Sequence, residues 1–168
     1  MRIMKKIALS LLLFVFPLTV LAQVANIYVH GYITARPCEL EKANYIVDLK
    51  KVNVWNIRDT QVSPWVNFTI KLKNCPVDTK EAIMVINGTP DAVNANYFIN
   101  NGSAKNVALN LAYGANKVTV KNGEQVTASV NTQTRTVEIP LSARMAGYGS
   151  GMTGGSFKSH LDFTLIYH

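Results

Sequence analysis

The sequence has 168 residues, of which 48% are hydrophobic and 16% are charged. This composition is typical of one globular domain, and it excludes disordered, low-complexity and collagen-like chains. The formal net charge is +7, but three of the positive charges belong to Arg2, Lys5 and Lys6. No later run of Lys and Arg is longer than two residues, so a nucleic-acid partner is not indicated.

Residues 1–22 have the pattern of a secretory signal peptide. A basic start precedes an apolar run from Ile7 to Leu21, and Ala22 places a small residue at the exit. A transmembrane anchor is the alternative. It needs about 20 apolar residues, whereas this run is shorter and contains Pro17. The sequence therefore predicts export, cleavage after Ala22 and no membrane span in the mature chain.

Residues 23–37 are an alternating segment that precedes the first cysteine. Polar and aromatic residues alternate with small or apolar ones, which would share one face of a strand. The small or apolar set is Ala25, Ile27, Val29, Gly31 and Ile33. Alternation of this kind predicts a strand. The segment is either the first strand of the domain or an extension outside it. Gly31 weakens the interpretation as the first strand of the domain, because glycine destabilises a strand interior and often marks a close backbone approach.

The rest of the chain, residues 38–168, also has a dominant period of two. Alternating or short apolar runs predict strands near residues 66–73, 82–86, 107–111, 118–120, 137–145 and 161–167. Turn-rich pieces separate these runs, and no sustained helical period occurs after the N-terminal apolar run. Many short strands with frequent turns predict an all-β, immunoglobulin-like antiparallel sandwich. The glycine-rich run from Gly147 to Gly155 is interpreted as a flexible hairpin connection.

Cys38 and Cys75 are the only cysteines. In an exported protein an even pair without a neighbouring histidine predicts a disulfide. A zinc site lacks histidines at suitable spacing, and a free thiol fits a cytosolic protein better. We expect Cys38 and Cys75 to be bonded to each other.

The motifs of the common enzyme classes are absent from the sequence. It has no Gly-x-Ser-x-Gly and no His-Glu-x-x-His, and its carboxylates are scattered. We therefore predict no catalytic, cofactor-binding or metal-binding residues and no enzyme activity. Two other classes stay open: a secreted carbohydrate-binding sandwich in which Trp55 and Trp65 stack on sugars, and a small periplasmic hydrolase.

The two ends of the chain together resemble the subunits of chaperone–usher pili. Tyr167 is the penultimate residue and Gly155 stands fourteenth from the C-terminus, with Leu161, Phe163 and Leu165 alternating between them. The segment from Ala25 to Ile33, followed by Pro37-Cys38, is similar to the donor extension of these subunits. The finer likeness is to the minor or adaptor subunits of type 1 fimbriae.

This resemblance implies a sandwich that lacks its last strand and polymerises by donor-strand exchange. Residues 23–37 would be the donor extension, and residues 38–168 the pilin domain. The acceptor groove and C-terminal motif would comprise Gly155, Leu161, Phe163, Leu165 and Tyr167. The implied partners are a periplasmic chaperone, an outer-membrane usher and neighbouring subunits, and the implied location is a cell-surface fimbrium that contributes to adhesion. A tip adhesin is disfavoured, because the family's adhesins carry an extra binding domain in place of the extension.

Overall fold

The structure is a computed structural model that describes Tyr28, His30, Gly31 and residues 37–168. The predicted signal peptide, residues 1–22, lies outside the described residues, as do Ala25, Ile27, Val29 and Ile33. Among the described residues, no helix is long and apolar enough to span a bilayer.

Residues 37–168 contain eight strands and one α-helix. In chain order the elements are β1 (Glu39–Leu40), α1 (Val54–Thr60), β2 (Val66–Lys73), β3 (Glu81–Gly88), β4 (Val107–Tyr113), β5 (Val118–Val120), β6 (Gln125–Ser129), β7 (Val137–Gly147), a short 3-10 turn (Gly149–Gly151) and β8 (Leu161–Tyr167).

The strands form two antiparallel sheets that face each other across the core. One sheet has the order β1-β2-β7-β4-β5, and the other has the order β6-β3-β8. Strand β7 is central to the larger sheet, pairing along β2 on one side and β4 on the other. Its alternate residues Val137, Ile139 and Leu141 are almost fully buried. The predicted sandwich is confirmed.

The disulfide is also present. Cys38 immediately precedes β1 and is bonded to Cys75, two residues after the end of β2. The bond therefore ties the short strand β1 to the strand with which it pairs.

Four features differ from the sequence prediction, and the first three concern individual segments. Helix α1 was not predicted, because it has seven residues and buries only Ile57, too little for a helical period to be recognised. Strand β6 was not predicted either, since only Val126 and Ala128 alternate within it. The interpretation of Gly147–Gly155 as a hairpin was wrong: this segment connects β7 in one sheet to β8 in the other.

The fourth difference is the burial of the outer face of the larger sheet. The alternation of apolar and polar residues predicts that this face is exposed to solvent. Ala108, Asn110, Ala112 and Ser142 lie on that face and are nevertheless buried. Lys117 accounts for part of the covering, since its Nζ donates to Asn67 Oδ1 at 2.7 Å and to Ser142 Oγ at 2.6 Å. Polar residues on this face are therefore buried but hydrogen-bonded, as buried polar groups generally are.

Candidate functional site

The main candidate site is an apolar cleft of about 740 Å³ that opens between the two sheets. Its floor consists of side chains from β2, β3, β4 and β7: Phe68, Ile70, Ile86, Leu109, Leu111, Leu141 and Ala143. Several of these side chains are almost fully buried, including Ile70 and Leu111, each 2% exposed. The cleft therefore reaches into the hydrophobic core itself.

One wall of the apolar cleft is β8 and the residues before it. Leu161 and Phe163 line the cleft, together with Phe157 and Ser159. All four are half-buried, and they alternate with exposed residues. Strand β8 pairs with β3 on one side, and no described strand pairs with its other edge. This free edge leaves a row of backbone donors and acceptors beside an apolar surface.

The opposite wall is the extended segment 43–49. Its alternate residues Tyr45, Val47 and Leu49 pack against the core, while Ile46 between them is 98% exposed. After Glu41, whose N–H donates to Lys71 O at 3.0 Å, no backbone-to-backbone ladder bond involves this segment among the described residues. The sequence analysis missed this wall, although the alternation of Tyr45, Val47 and Leu49 is a signal that could have revealed it.

Leu165 and Tyr167 continue the inward face of β8 beyond the cleft lining. Both are half-buried and pack against the main core. The Tyr167 hydroxyl donates to Cys38 O at 3.3 Å, and burial raises the pKa of this phenol. The last strand is thereby fastened next to the disulfide.

The C-terminal residue continues the pairing of β8 with the chain before β3. An oxygen of the His168 terminal carboxylate accepts from Lys80 N–H at 2.7 Å and from Glu81 N–H at 3.2 Å. The His168 N–H in turn donates to Glu81 O at 3.1 Å. These bonds keep the C-terminus close to the start of β3.

Gly155 lies outside the cleft and marks a close contact between two backbone segments. A Cβ on Gly155 would be 2.5 Å from Ala104 N and 2.7 Å from Ser103 C, too close for any side chain without a shift. Nearby, Ala104 N–H donates to Ser156 O at 3.0 Å, and Ser156 N–H donates to Ser103 Oγ at 2.8 Å. Glycine at this position therefore lets the segment entering β8 lie against the loop before β4.

Of the predicted donor residues, only Gly31 is described, and it is exposed. The other predicted donor residues lie outside the described residues, so the role of the donor segment stays a prediction. In the described part of the chain, no group of three or more His, Cys, Asp or Glu residues is arranged to hold a metal ion.

Comparisons with known proteins agree with the fold and the terminal motifs. The family model described as "Fimbrial protein" matches residues 27–168. The chain is 28% identical to the uncharacterized fimbrial-like protein YdeR of Escherichia coli K12, over 94% of this chain and 93% of YdeR. It is 27% identical to the protein FimG of the same strain, over 89% of this chain and 88% of FimG.

Solved structures of pilus subunits share the fold. The P pilus rod subunit PapA aligns with a TM-score of 0.62 at 18% identity, covering 85% of this chain and all of PapA. The P pilus adaptor subunit PapF aligns with a TM-score of 0.53 at 18% identity, covering 79% of this chain and 97% of PapF. The resemblance to pilus subunits drawn from the terminal motifs is confirmed.

Proposed function

Because the chain belongs to the fimbrial protein family and is a structural subunit of a pilus, we propose that its apolar cleft accepts a strand from a neighbouring subunit. In the same scheme, residues 23–37 supply the equivalent strand to another subunit. The subunits are thus joined by strand addition, in which main-chain bonds give affinity and alternate side chains fill pockets.

The observation that carries this proposal is the conjunction of an open core and an unpaired strand edge. The cleft has an apolar floor, and the edge of β8 beside it has no strand partner among the described residues. The Ser159 hydroxyl lines the same cleft and is buried without a hydrogen-bond partner within the described chain. A strand laid along β8 covers the apolar floor and brings polar backbone groups close to this hydroxyl.

The donor segment has the composition that such a cleft requires. Ile27, Val29 and Ile33 lie on one face of the alternating segment, and burial of each contributes about 1.5–3 kcal/mol. Several ladder hydrogen bonds add about 0.5–1.5 kcal/mol each. Together these terms are on the order of 10 kcal/mol, which is enough for a durable joint without a covalent bond.

The exposed cleft also explains why the proposed pathway needs a chaperone and an usher. An uncovered strand edge beside apolar surface promotes aggregation. A periplasmic chaperone that lends a strand protects it after export, and an outer-membrane usher then exchanges that strand for the next subunit's extension. The assembled fimbrium lies on the cell surface, where it contributes to adhesion.

Deletion of residues 23–35 tests the donor assignment. We expect the shortened chain to be recovered folded with its chaperone but to be unable to join the preceding subunit. A chaperone-bound subunit that unfolds on deletion would show that the segment is an intrinsic strand of the domain.

A pair of substitutions refines this test within the donor segment. Gly31→Leu should weaken joining, because a bulky side chain overpacks the joint at a cost of about 1–3 kcal/mol or more. Tyr28→Ala, on the opposite face, is the matched control and should be milder. Equal effects of the two changes would contradict the predicted orientation of the donor strand.

Extension of the C-terminus tests chaperone docking separately. Addition of a bulky charged tail after His168 replaces the terminal carboxylate, which family chaperones bind with basic residues. We expect the tailed chain to be lost from chaperone pull-downs, whereas unimpaired recovery would contradict this role for the C-terminus.

A further inference from the structure

A second cleft lies on the larger sheet, on the side turned away from the core. Its lining residues are Asn94, Asn96, Tyr97, Thr119, Lys121 and Glu124, and its volume is about 350 Å³. Thr119 pairs with Ala112 across the β4–β5 ladder, while the neighbouring pair Leu111 and Val120 points into the core. We call this site the outer-face cleft. It shares no lining residue with the apolar cleft, so a strand bound in the latter leaves it unoccupied.

The outer-face cleft is polar and presents donors and acceptors side by side. Two carboxamides, a phenol and a hydroxyl surround it, and Lys121 Nζ lies 3.8 Å from Glu124 Oε2. The pairing of these charges leaves no excess of positive charge to attract a phosphate. In the described part of the chain, the side chains of Asn96 and Tyr97 make no hydrogen bond to the protein, so their polar atoms remain free for a ligand.

The loop that carries Tyr97 is held firmly by its own hydrogen bonds. Asp91 Oδ1 accepts from the N–H groups of Val93 and Asn94 and from the Tyr148 hydroxyl, the last at 2.8 Å. Burial, followed by the bond to Asp91, raises the pKa of Tyr148, so this phenol stays protonated as a donor. Asp91 N–H donates to Tyr97 O at 2.9 Å and closes the loop.

The residue after Tyr97 anchors the loop to the sheet. Phe98 is fully buried and exchanges two backbone hydrogen bonds with Leu109, at 2.9 and 2.8 Å. Tyr97 and Asn96 are thereby fixed beside Thr119 before any ligand arrives. A site held in its binding geometry loses less conformational entropy when it binds.

The polar surface continues from the outer-face cleft to a second aromatic ring. Thr119 Oγ1 lies 3.5 Å from Asn110 Oδ1, and Asn110 is paired with Arg144 across the β4–β7 ladder. The Arg144 guanidinium stacks 4.1 Å from the centre of the Trp65 ring. Trp65 thus adds a second aromatic side chain beside this polar surface.

We propose that the outer-face cleft binds a pyranose unit of an oligosaccharide. A pyranose carries hydroxyl groups that both donate and accept, matching the carboxamides, Thr119 and the Lys121–Glu124 pair. It also carries an apolar face of C–H groups that packs against an aromatic ring such as Tyr97. Ligand sites commonly combine a ring surface with a few fixed polar groups in this way. The subunit then contacts carbohydrate through its flank while its apolar cleft holds a neighbour.

The test is a titration of purified pili that contain this chain with defined sugars. The probes are methyl α-mannopyranoside, lactose and 3′-sialyllactose, followed by saturation-transfer NMR. We expect saturable binding of at least one probe, weakened roughly tenfold or more by Asn96→Ala or Tyr97→Ala, because each change removes free polar groups that the ligand would pair. A preference for lactose or for 3′-sialyllactose distinguishes a neutral ligand from an acidic one.

Asn101→Ala is the matched control, because Asn101 is an exposed carboxamide residue that does not line the outer-face cleft. It should leave sugar binding unchanged. If Tyr97→Ala prevents assembly, Asn96→Ala and Thr119→Ala decide the outcome, since both side chains are exposed. Absence of saturable binding by all three probes, or binding that survives these changes, would overturn the proposal.

Discussion

Strands β7 and β8 have similar sequence patterns and very different surroundings. Both alternate apolar and polar residues over their length. In β7, which has a partner on each side, Ile139 is 0% exposed and Val137 is 1% exposed. In β8, which has a partner on one side, Leu161, Phe163 and Leu165 remain only half-buried.

The difference shows that an apolar face is fully buried only where another part of the protein covers it. Alternation provides the apolar face, but what packs over that face decides how well water is excluded from it: β5 and β6 are edge strands with one partner each, yet Val120 and Val126 are 2% and 3% exposed. Strand β7 lies between β2 and β4, so its sheet continues on both sides. Strand β8 is an edge strand, and a gap remains between it and segment 43–49. The gap is the apolar cleft, and it is the feature on which the proposed assembly mechanism depends.

Truncation of one inward side chain in each strand measures how much burial differs between β7 and β8. Ile139→Ala should cost about 2–5 kcal/mol of unfolding free energy, because it leaves a cavity in a closed core. Phe163→Ala should cost the unjoined subunit clearly less, because its ring is already partly solvated. Denaturant unfolding of the purified chain measures both. Equal losses would mean that β8 is as well covered as β7.

Removal of the disulfide tests the end of the molecule where β1 meets β2. Replacement of Cys38 and Cys75 by alanine should lower the unfolding free energy by about 3–4 kcal/mol on the chain-entropy argument. Titration of the denatured, unreduced mature protein should find no free thiol. Two reactive thiols would contradict both the bond and the predicted export.

Substitution of the glycine before β8 tests how tightly the chain entering this strand packs against the loop before β4. Gly155→Ala should cost about 1–3 kcal/mol, because the new methyl group overlaps the backbone at Ser103 and Ala104. Gly154→Ala is the matched control, since a Cβ there has no neighbour within 4 Å. Thermal unfolding of the two variants measures the difference. Similar midpoints would show that the contact between these segments is not tight.

The smallest expected effect concerns the loop that covers the outer face of the sheet containing β7. Tyr148→Phe removes the hydrogen bond to Asp91 and should cost about 1 kcal/mol. Amide hydrogen exchange at Val93 and Asn94, whose N–H groups bond the same carboxylate, should become faster. Tyr113→Phe, which removes a different hydroxyl bond, to Thr127 O, is the control and should leave these two amides unaffected.

The sequence predicted the strands whose alternation is long and strong. The patterns of β2, β4, β7 and β8 indicated those strands, and the two cysteines of an exported chain indicated the disulfide. Short elements were missed because they carry little signal: α1 buries one side chain, and β6 has two small apolar residues. The hairpin expected at Gly147–Gly155 was wrong, because turn-forming residues do not specify which sheet the chain enters next.

The candidate site was predictable only in part. The inward parity of Leu161, Phe163 and Leu165 is visible in the sequence, as are the terminal motifs that resemble pilus subunits. The second wall of the apolar cleft was not identified, because segment 43–49 forms no ladder and its apolar residues were not matched to β8. The outer-face cleft was not predicted either, since its residues come from two parts of the chain that are distant in sequence: the loop before Phe98, and β5 with its connection to β6.

The order of residues is enough to show which residues alternate, where the chain turns and which cysteines are able to pair, because these properties depend on neighbours along the chain. Which of the alternating faces are covered becomes visible only in the folded molecule. Asn110 and Ser142 are buried on a face that alternation assigns to water, and Phe163 is half-solvated on a face that alternation assigns to the core. Burial depends on what packs against a face, and that partner is a distant segment of the same chain or, in the proposed fibre, a strand from the next subunit.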